Sequence, residues 1–310
     1  MEIVVVGPGA LGCLLAATLT ESGEKVLLLD HRSRRAEFII QHGLTVEREG
    51  RQRRVRVRVS SRPEDAGAAD LVLICVKAYQ TAGAIGPLIP HLNPDARVMT
   101  LQNGLGNLEI LAAAWGPERV WGGVTSQGAT LQGLGQIIHG GAGETVFGAW
   151  AGPGPESLLD AAVRAFQKAG LPARMEPDVK ALIWSKLIVN VGINPLTALT
   201  RLRNGQLLDH PWSLGVMAAA VDEAALVARA HGIGLLYPDP LERVKAVASA
   251  TATNISSMLQ DVLAKRRTEI EQINGAVAAK GRDLGLPTPI NQTLADLVKT
   301  VESSYGIAVQ

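Results

Sequence analysis

The sequence predicts an α/β domain followed by an all-α helical domain, and three observations carry that prediction. Short apolar runs punctuate the first half, at Ile3 to Val6, Val26 to Leu29, Asp70 to Val76 and Arg97 to Leu101, and read as strands buried on both faces. A glycine-rich turn, Gly7-Pro8-Gly9-Ala10-Leu11-Gly12, joins the first run to an apolar helical stretch. Beyond Pro177 the strand signals stop, and the segments become long, rich in Ala, Leu and Val, and helical in period. The 310 residues therefore divide into domains 1–177 and 178–310, each long enough to bury a core.

The spacing of Gly7, Gly9 and Gly12 closes a strand and opens a helix, and a second strand follows, which is the context of a Rossmann-type dinucleotide-binding domain. Gly7 permits the tight turn, Gly9 lets backbone N–H groups approach a pyrophosphate, and Gly12 lets helix and strand pack closely. Asp30 ends the second strand, where a carboxylate accepts from an adenosine ribose and favours NAD. His31, Arg32, Arg34 and Arg35 follow as donors for a 2′-phosphate, or as ion-pair partners for Asp30 itself. The cationic surroundings weight the reading toward NADPH over NADH.

Lys77 and Asn103 fall just past the carboxyl ends of apolar strands, the edge at which open parallel sheets bind ligands, and are cofactor or substrate candidates. A solvated strand-end charge and a plain Asn-Gly turn are the alternatives. Leu44 to Arg58, turning at Gly50, reads as a hairpin with Glu and Arg paired across strands. Trp121 to Ala129 and Gln136 to Val146 add strands near the sheet edge, with His139 structural because no carboxylate accompanies it. Ala151 to Pro155 reads as a surface loop, and Leu158 to Ala169 as an amphipathic helix.

A net charge of +1 gives no global field for nucleic acid or an anionic membrane, so the expected partner is a small molecule. The two cysteines and six histidines form no disulfide framework and no metal-ligand pattern. The first strand begins at Glu2, leaving no room for a leader, and no uninterrupted apolar stretch of membrane-spanning length is visible. A soluble cytoplasmic protein is expected, with enough apolar surface in its helical half for a homodimer.

In that half, Lys186, Asn190 and Asn194 recur every fourth residue and stack as one polar stripe on an otherwise apolar helix, with Pro195 directly after. An unpaired buried ammonium is costly, so the stripe points to a polar cleft. Asn204-Gly205 reads as a turn, and Trp212 to Ala230 and Leu241 to Gln260 as helices. Thr268 with Glu271 reads as a capping box, after a bend near Lys265 to Arg267. Glu269 stands beside it, either complementing a helix dipole or supporting the charge on Lys186.

These blocks resemble one known family. Trp184-Ser-Lys-Leu-Ile-Val-Asn190-Val-Gly-Ile-Asn194-Pro, Asn204-Gly205, Asn254-Ile-Ser-Ser257-Met, Thr268-Glu269-Ile and Ile273-Asn-Gly275 are similar to the signature blocks of the ketopantoate reductase family. With the glycine-rich turn and Gln102-Asn103-Gly104 they span nearly the whole chain in the family's order. The resemblance implies NADPH-dependent reduction of 2-dehydropantoate to pantoate, a step toward pantothenate and coenzyme A, with no metal. By motif position Lys186 is the proton donor, with Glu269 beside it in the catalytic pair. Asn103, Asn190, Asn194, Asn204 and Ser257 hold the substrate. Gly7 through Gly12, Arg32, Lys77, Asn103, Ala129 and Glu269 bind the cofactor. A related reductase of another 2-oxo acid is the nearest alternative, and a non-enzymatic NADPH sensor a more distant one.

Overall fold

The computed structural model describes residues 1–152 and 156–307, so Pro153, Gly154 and Pro155 of the expected surface loop lie outside the described residues. Two compact units form. The first comprises Met1–Gln102 and Asn107–Val179, and the second Asn103–Gly106 together with the chain from Lys180 onward.

In the first unit, β1 (Glu2–Val6), α1 (Ala10–Glu21) and β2 (Lys25–Leu29) are followed by α2 (Ser33–His42), β3 (Leu44–Arg48), β4 (Arg51–Val55) and β5 (Arg58–Ser60). Then come β6 (Leu71–Ile74), α3 (Thr81–Ile85), β7 (Arg97–Thr100), α4 (Asn107–Trp115), β8 (Val120–Thr125), β9 (Gly128–Gly133), β10 (Gln136–Gly141), β11 (Thr145–Ala149), α5 (Glu156–Lys168) and β12 (Ala173–Met175). The main sheet has the order β12-β11-β8-β7-β6-β1-β2-β5, and every pair in it is parallel except β8 with β11. Its central strands are buried on both faces, as their unbroken apolar sequences require.

A second sheet, β4-β3-β10-β9, was only half legible. The hairpin at Gly50 forms as expected, but its second strand ends at Val55, and Arg58–Ser60 crosses to pair with β2. The expected Glu–Arg pairing across the hairpin does not form. Glu47 accepts from Gln52 instead, and Arg53 pairs with Glu21 on α1. Helix α1 packs against β1 and β2 on one side and the second sheet on the other, which explains why Cys13 through Leu19 is buried all round.

The second unit is helical: α6 (Val179–Thr200, its first residue counted with the first unit), α7 (Pro211–Ala230), α8 (Pro240–Ala250), α9 (Ser257–Leu263), α10 (Asn274–Asp283) and α11 (Pro289–Ser303). Leu187, Ile188 and Val191 of α6 pack with Met217, Val221 and Ala224 of α7 and with Val244 of α8. Gly192 makes this close approach feasible, because a Cβ there would lie 2.8 Å from Val244 and 3.0 Å from Val221. The helix runs on through Pro195. The Val191 carbonyl, which loses its intrahelical donor to that proline, accepts instead from the side chain of Asn274 at 3.4 Å.

Three expectations are corrected here. The helix expected to run from Leu241 to Gln260 stops at Ala250, because Gly205 and Asn204 donate their N–H groups to the carbonyls of Ala252 and Asn254 and hold that stretch open. The capping box at Thr268 does not form. Glu271 is held by Arg267 and Lys299, and α10 starts only at Asn274. Finally, α6 and α7 are each long and apolar enough to cross a membrane by length and composition, although α6 spends most of that surface inside the core.

Candidate active site

The glycine-rich turn is built as a cradle that a Cβ would fill. Gly7 has φ +103°, and a side chain there would meet Val76 at 2.6 Å; a Cβ on Gly12 would come within 2.0 Å of the Gly7 carbonyl. Gly9 is the N-cap of α1 and supplies no side-chain oxygen, and the first turn carries no carboxylate, so the helix terminus presents backbone N–H groups and a positive dipole end. Pro8 is buried, while Ala10 and Leu11 stay partly open at this edge. These features fit a dinucleotide pyrophosphate.

At the end of β2, both carboxylate oxygens of Asp30 are engaged. The Arg35 guanidinium donates to both carboxylate oxygens, its Nη2 lying 2.6 Å from Oδ1, and the Arg32 backbone N–H adds a third bond at 3.0 Å. Arg35 is thereby used internally, whereas His31, Arg32 and Arg34 project as exposed side chains. Lys77 is half-buried three residues beyond β6. Gln102 clamps its neighbourhood: the side-chain amide donates to the Val76 carbonyl at 2.6 Å and to Thr81 Oγ1 at 2.9 Å. Ala129 sits on β9 opposite His139, half-buried against the core. His139 is buried, donating from Nε2 to the Gln127 side-chain oxygen at 2.7 Å, and is held below its ordinary pKa by burial.

In the second unit, α6 carries Lys186, Asn190 and Asn194 on one stripe. Burial pushes the Lys186 ammonium down to about 8 from 10.5, while the Glu269 carboxylate pulls the other way. Glu269 is itself buried, in a turn whose carbonyl accepts from the N–H groups of Gln272 and Ile273. The same turn docks Asn103–Gly106: Leu105 N–H donates to the Gln272 carbonyl at 2.9 Å, and Gly104, at φ +84°, passes so close that a Cβ would lie 2.5 Å from that oxygen. Asn190 Nδ2 and Asn204 Oδ1 are buried with no partner among the described residues, which leaves polar capacity for a ligand. Asn204 is aimed by its own bond to Thr251 Oγ1 at 2.9 Å.

Residues 3–152 match the family description "Ketopantoate reductase PanE/ApbA" and residues 178–302 match "Ketopantoate reductase PanE/ApbA C terminal". The chain belongs to the ketopantoate reductase family, a family of oxidoreductases. It is 38% identical over 303 residues to the 2-dehydropantoate 2-reductase of Halobacterium salinarum, covering 97% of this chain and 99% of that one. A PanE/ApbA family ketopantoate reductase from Ralstonia eutropha JMP134 superposes with a TM-score of 0.88 at 32% identity, covering 98% and 99% of the two chains. D-mandelate dehydrogenase, solved with NADH and anilino(oxo)acetate, superposes with a TM-score of 0.92 at 27% identity over 98% and 99%.

For this family member, several residues that organise the site carry no sequence signal of their own. Ser256, not Ser257, caps α9, accepting from the Leu259 N–H, and it bonds Thr197 Oγ1 at 2.7 Å; Ser257 is the exposed first residue of the helix. Ser185, beside Lys186, accepts from the Leu236 N–H, and its carbonyl accepts from Tyr237 Oη at 2.6 Å. Tyr237 is thus tied to α6, whereas Trp212, near the start of α7, is 81% exposed. The α9 cap is local, but the bonds of Ser256 to Thr197 and of Ser185 to Leu236 and Tyr237 join residues more than 50 positions apart, so no local pattern reveals them.

Proposed function

We propose that the chain reduces 2-dehydropantoate to pantoate with NADPH, as a soluble cytoplasmic enzyme of domains 1–177 and 178–310. The observation that carries this is Lys186: a half-buried lysine with a depressed pKa, on one helix stripe with two asparagines and answered by the buried Glu269 carboxylate. Gly7, Pro8, Gly9, Ala10, Leu11 and Gly12 would hold the pyrophosphate, and Lys77, Asn103, Ala129 and Glu269 the rest of the cofactor. Asp30 is buried with both oxygens already engaged by Arg35, which weakens it as a ribose acceptor, while Arg32 and its neighbours are open to a 2′-phosphate. The nicotinamide supplies the hydride when bound. Lys186 stabilises the charge that develops on the ketone oxygen and donates the proton there. Glu269 keeps Lys186 charged, and Asn103, Asn190, Asn194, Asn204 and Ser257 grip the carboxylate and hydroxyl of the substrate.

The likeness to D-mandelate dehydrogenase favours a second reading, NADH-dependent reduction of an aryl 2-oxo acid. Turnover of 2-dehydropantoate and phenylglyoxylate with each cofactor separates the two. The proposal predicts the highest kcat/KM with 2-dehydropantoate and NADPH; a preference for phenylglyoxylate with NADH would replace it by the second reading.

A further inference from the structure

We propose that Asn274 is the positioning residue that holds the Glu269 turn in register with the Lys186 helix. This rests on the reading of Lys186 as proton donor and concerns how the donor is held. Pro195 leaves the Val191 carbonyl without its helical partner, on the turn between Asn190 and Asn194. The Asn274 side-chain amide supplies that partner at 3.4 Å, and its nitrogen also donates to Asn291 Oδ1 at 3.0 Å. Asn291 continues the chain, donating to the Ala220 carbonyl at 2.9 Å and to Glu223 at 2.8 Å, and Glu223 accepts the backbone N–H groups of Ile290 and Asn291.

Four helices, α6, α7, α10 and α11, are thereby joined through two asparagines with no exposed surface. An aliphatic side chain with a non-proline at position 195 would fill the same space without the polar cost. The cost is real, because Asn274 Oδ1 is buried without a partner among the described residues. What the polar link achieves is placement. Asn274 is the first residue of α10, directly after the turn closed by the Gln272 and Ile273 N–H groups on the Glu269 carbonyl at 3.1 Å. Anchoring Asn274 to Val191 fixes that turn against α6 at the level of the polar stripe. Glu269 is the charged group that acts on Lys186.

The test is an NMR titration of the Lys186 side chain in the full chain carrying isotope-labelled lysine, for wild type, Asn274→Ala and the double variant Pro195→Ala/Asn274→Ala. Asn274→Ala is expected to melt at lower temperature and to titrate lower at Lys186 by about one pH unit, since burial without a well-placed carboxylate favours the neutral amine. Pro195→Ala returns a backbone donor to the Val191 carbonyl, so the double variant regains melting temperature and folds even where the single variant is weak. The proposal requires its Lys186 titration to stay low. A double variant that titrates like wild type would show Asn274 to be a purely structural partner of Val191 and would overturn the proposal. The readout follows a proton and not turnover, so full activity in Lys186→Ala would sink the donor reading separately.

Discussion

In the proposed mechanism the stability cost of Lys186 is the source of its chemistry. Its folded-state pKa of about 8 lies below the ordinary 10.5, so below pH 8 both folded and unfolded chains carry the proton, and the cost of burying the charge is fully present. As pH rises from 8 toward 10.5 the folded chain gives up its proton first and that cost is relieved. Lys186→Met is therefore expected to lose turnover by at least a hundredfold yet melt on the order of 3 °C higher at pH 7. Calorimetry beside kinetics checks this, and a variant that is both inactive and less stable would contradict it. Arg32→Ala should raise the KM for NADPH by roughly tenfold or more, the worth of a charge-assisted hydrogen bond, while leaving NADH almost untouched. Equal losses with both cofactors would move phosphate recognition elsewhere, with exposed Arg34 the next residue to test. Cys13 and Cys75 have no such role, since burial pushes both thiols up to about 12 and leaves them unreactive at neutral pH.

At the scale of elements, the site depends on where helices start and stop. Ser256→Ala removes both the cap of α9 and the bond to Thr197 on α6, and is expected to cost about 1–2 kcal/mol in a denaturant melt. Ser257→Ala, on an exposed side chain, should leave stability unchanged and raise the substrate KM alone. Gly12→Ala drives a methyl group into the Gly7 carbonyl and should abolish cofactor binding in a titration, at constant secondary structure where the chain folds at all. The stripe of Lys186, Asn190 and Asn194 was legible because a four-residue period on a buried helix is a local pattern. The stop of α8 at Ala250 was not legible, because Ala-Ser-Ala-Thr continues the helical period and only the distant N–H groups of Asn204 and Gly205 hold the following residues out of it. Thr268 and Glu271 failed as a capping box for a related reason: Lys299, twenty-eight residues on, competes for the carboxylate.

For the molecule as a whole, the alternation of buried strands with helices made the parallel sheet readable from sequence, and the end of strand signals near Pro177 marked where helices take over. The second sheet escaped because it pairs Thr45, Val46 and Glu47 with Gln136, Ile137 and Ile138, a non-local parallel register that no hairpin signal announces. The apolar uniformity of α1, which looked like an ordinary first helix, is the trace that sheet leaves in the sequence. Asp30 was readable as either ribose acceptor or arginine partner, and only the side-chain geometry chose Arg35.

The measurement that bears most directly on the central claim is the pH dependence of kcat for 2-dehydropantoate reduction with NADPH. With Lys186 as the proton donor, kcat is flat from pH 6 to about 7.5 and then falls, approaching tenfold per unit, around an apparent pKa of about 8. A profile that stays flat to pH 10 would show that the Lys186 proton takes no part in turnover.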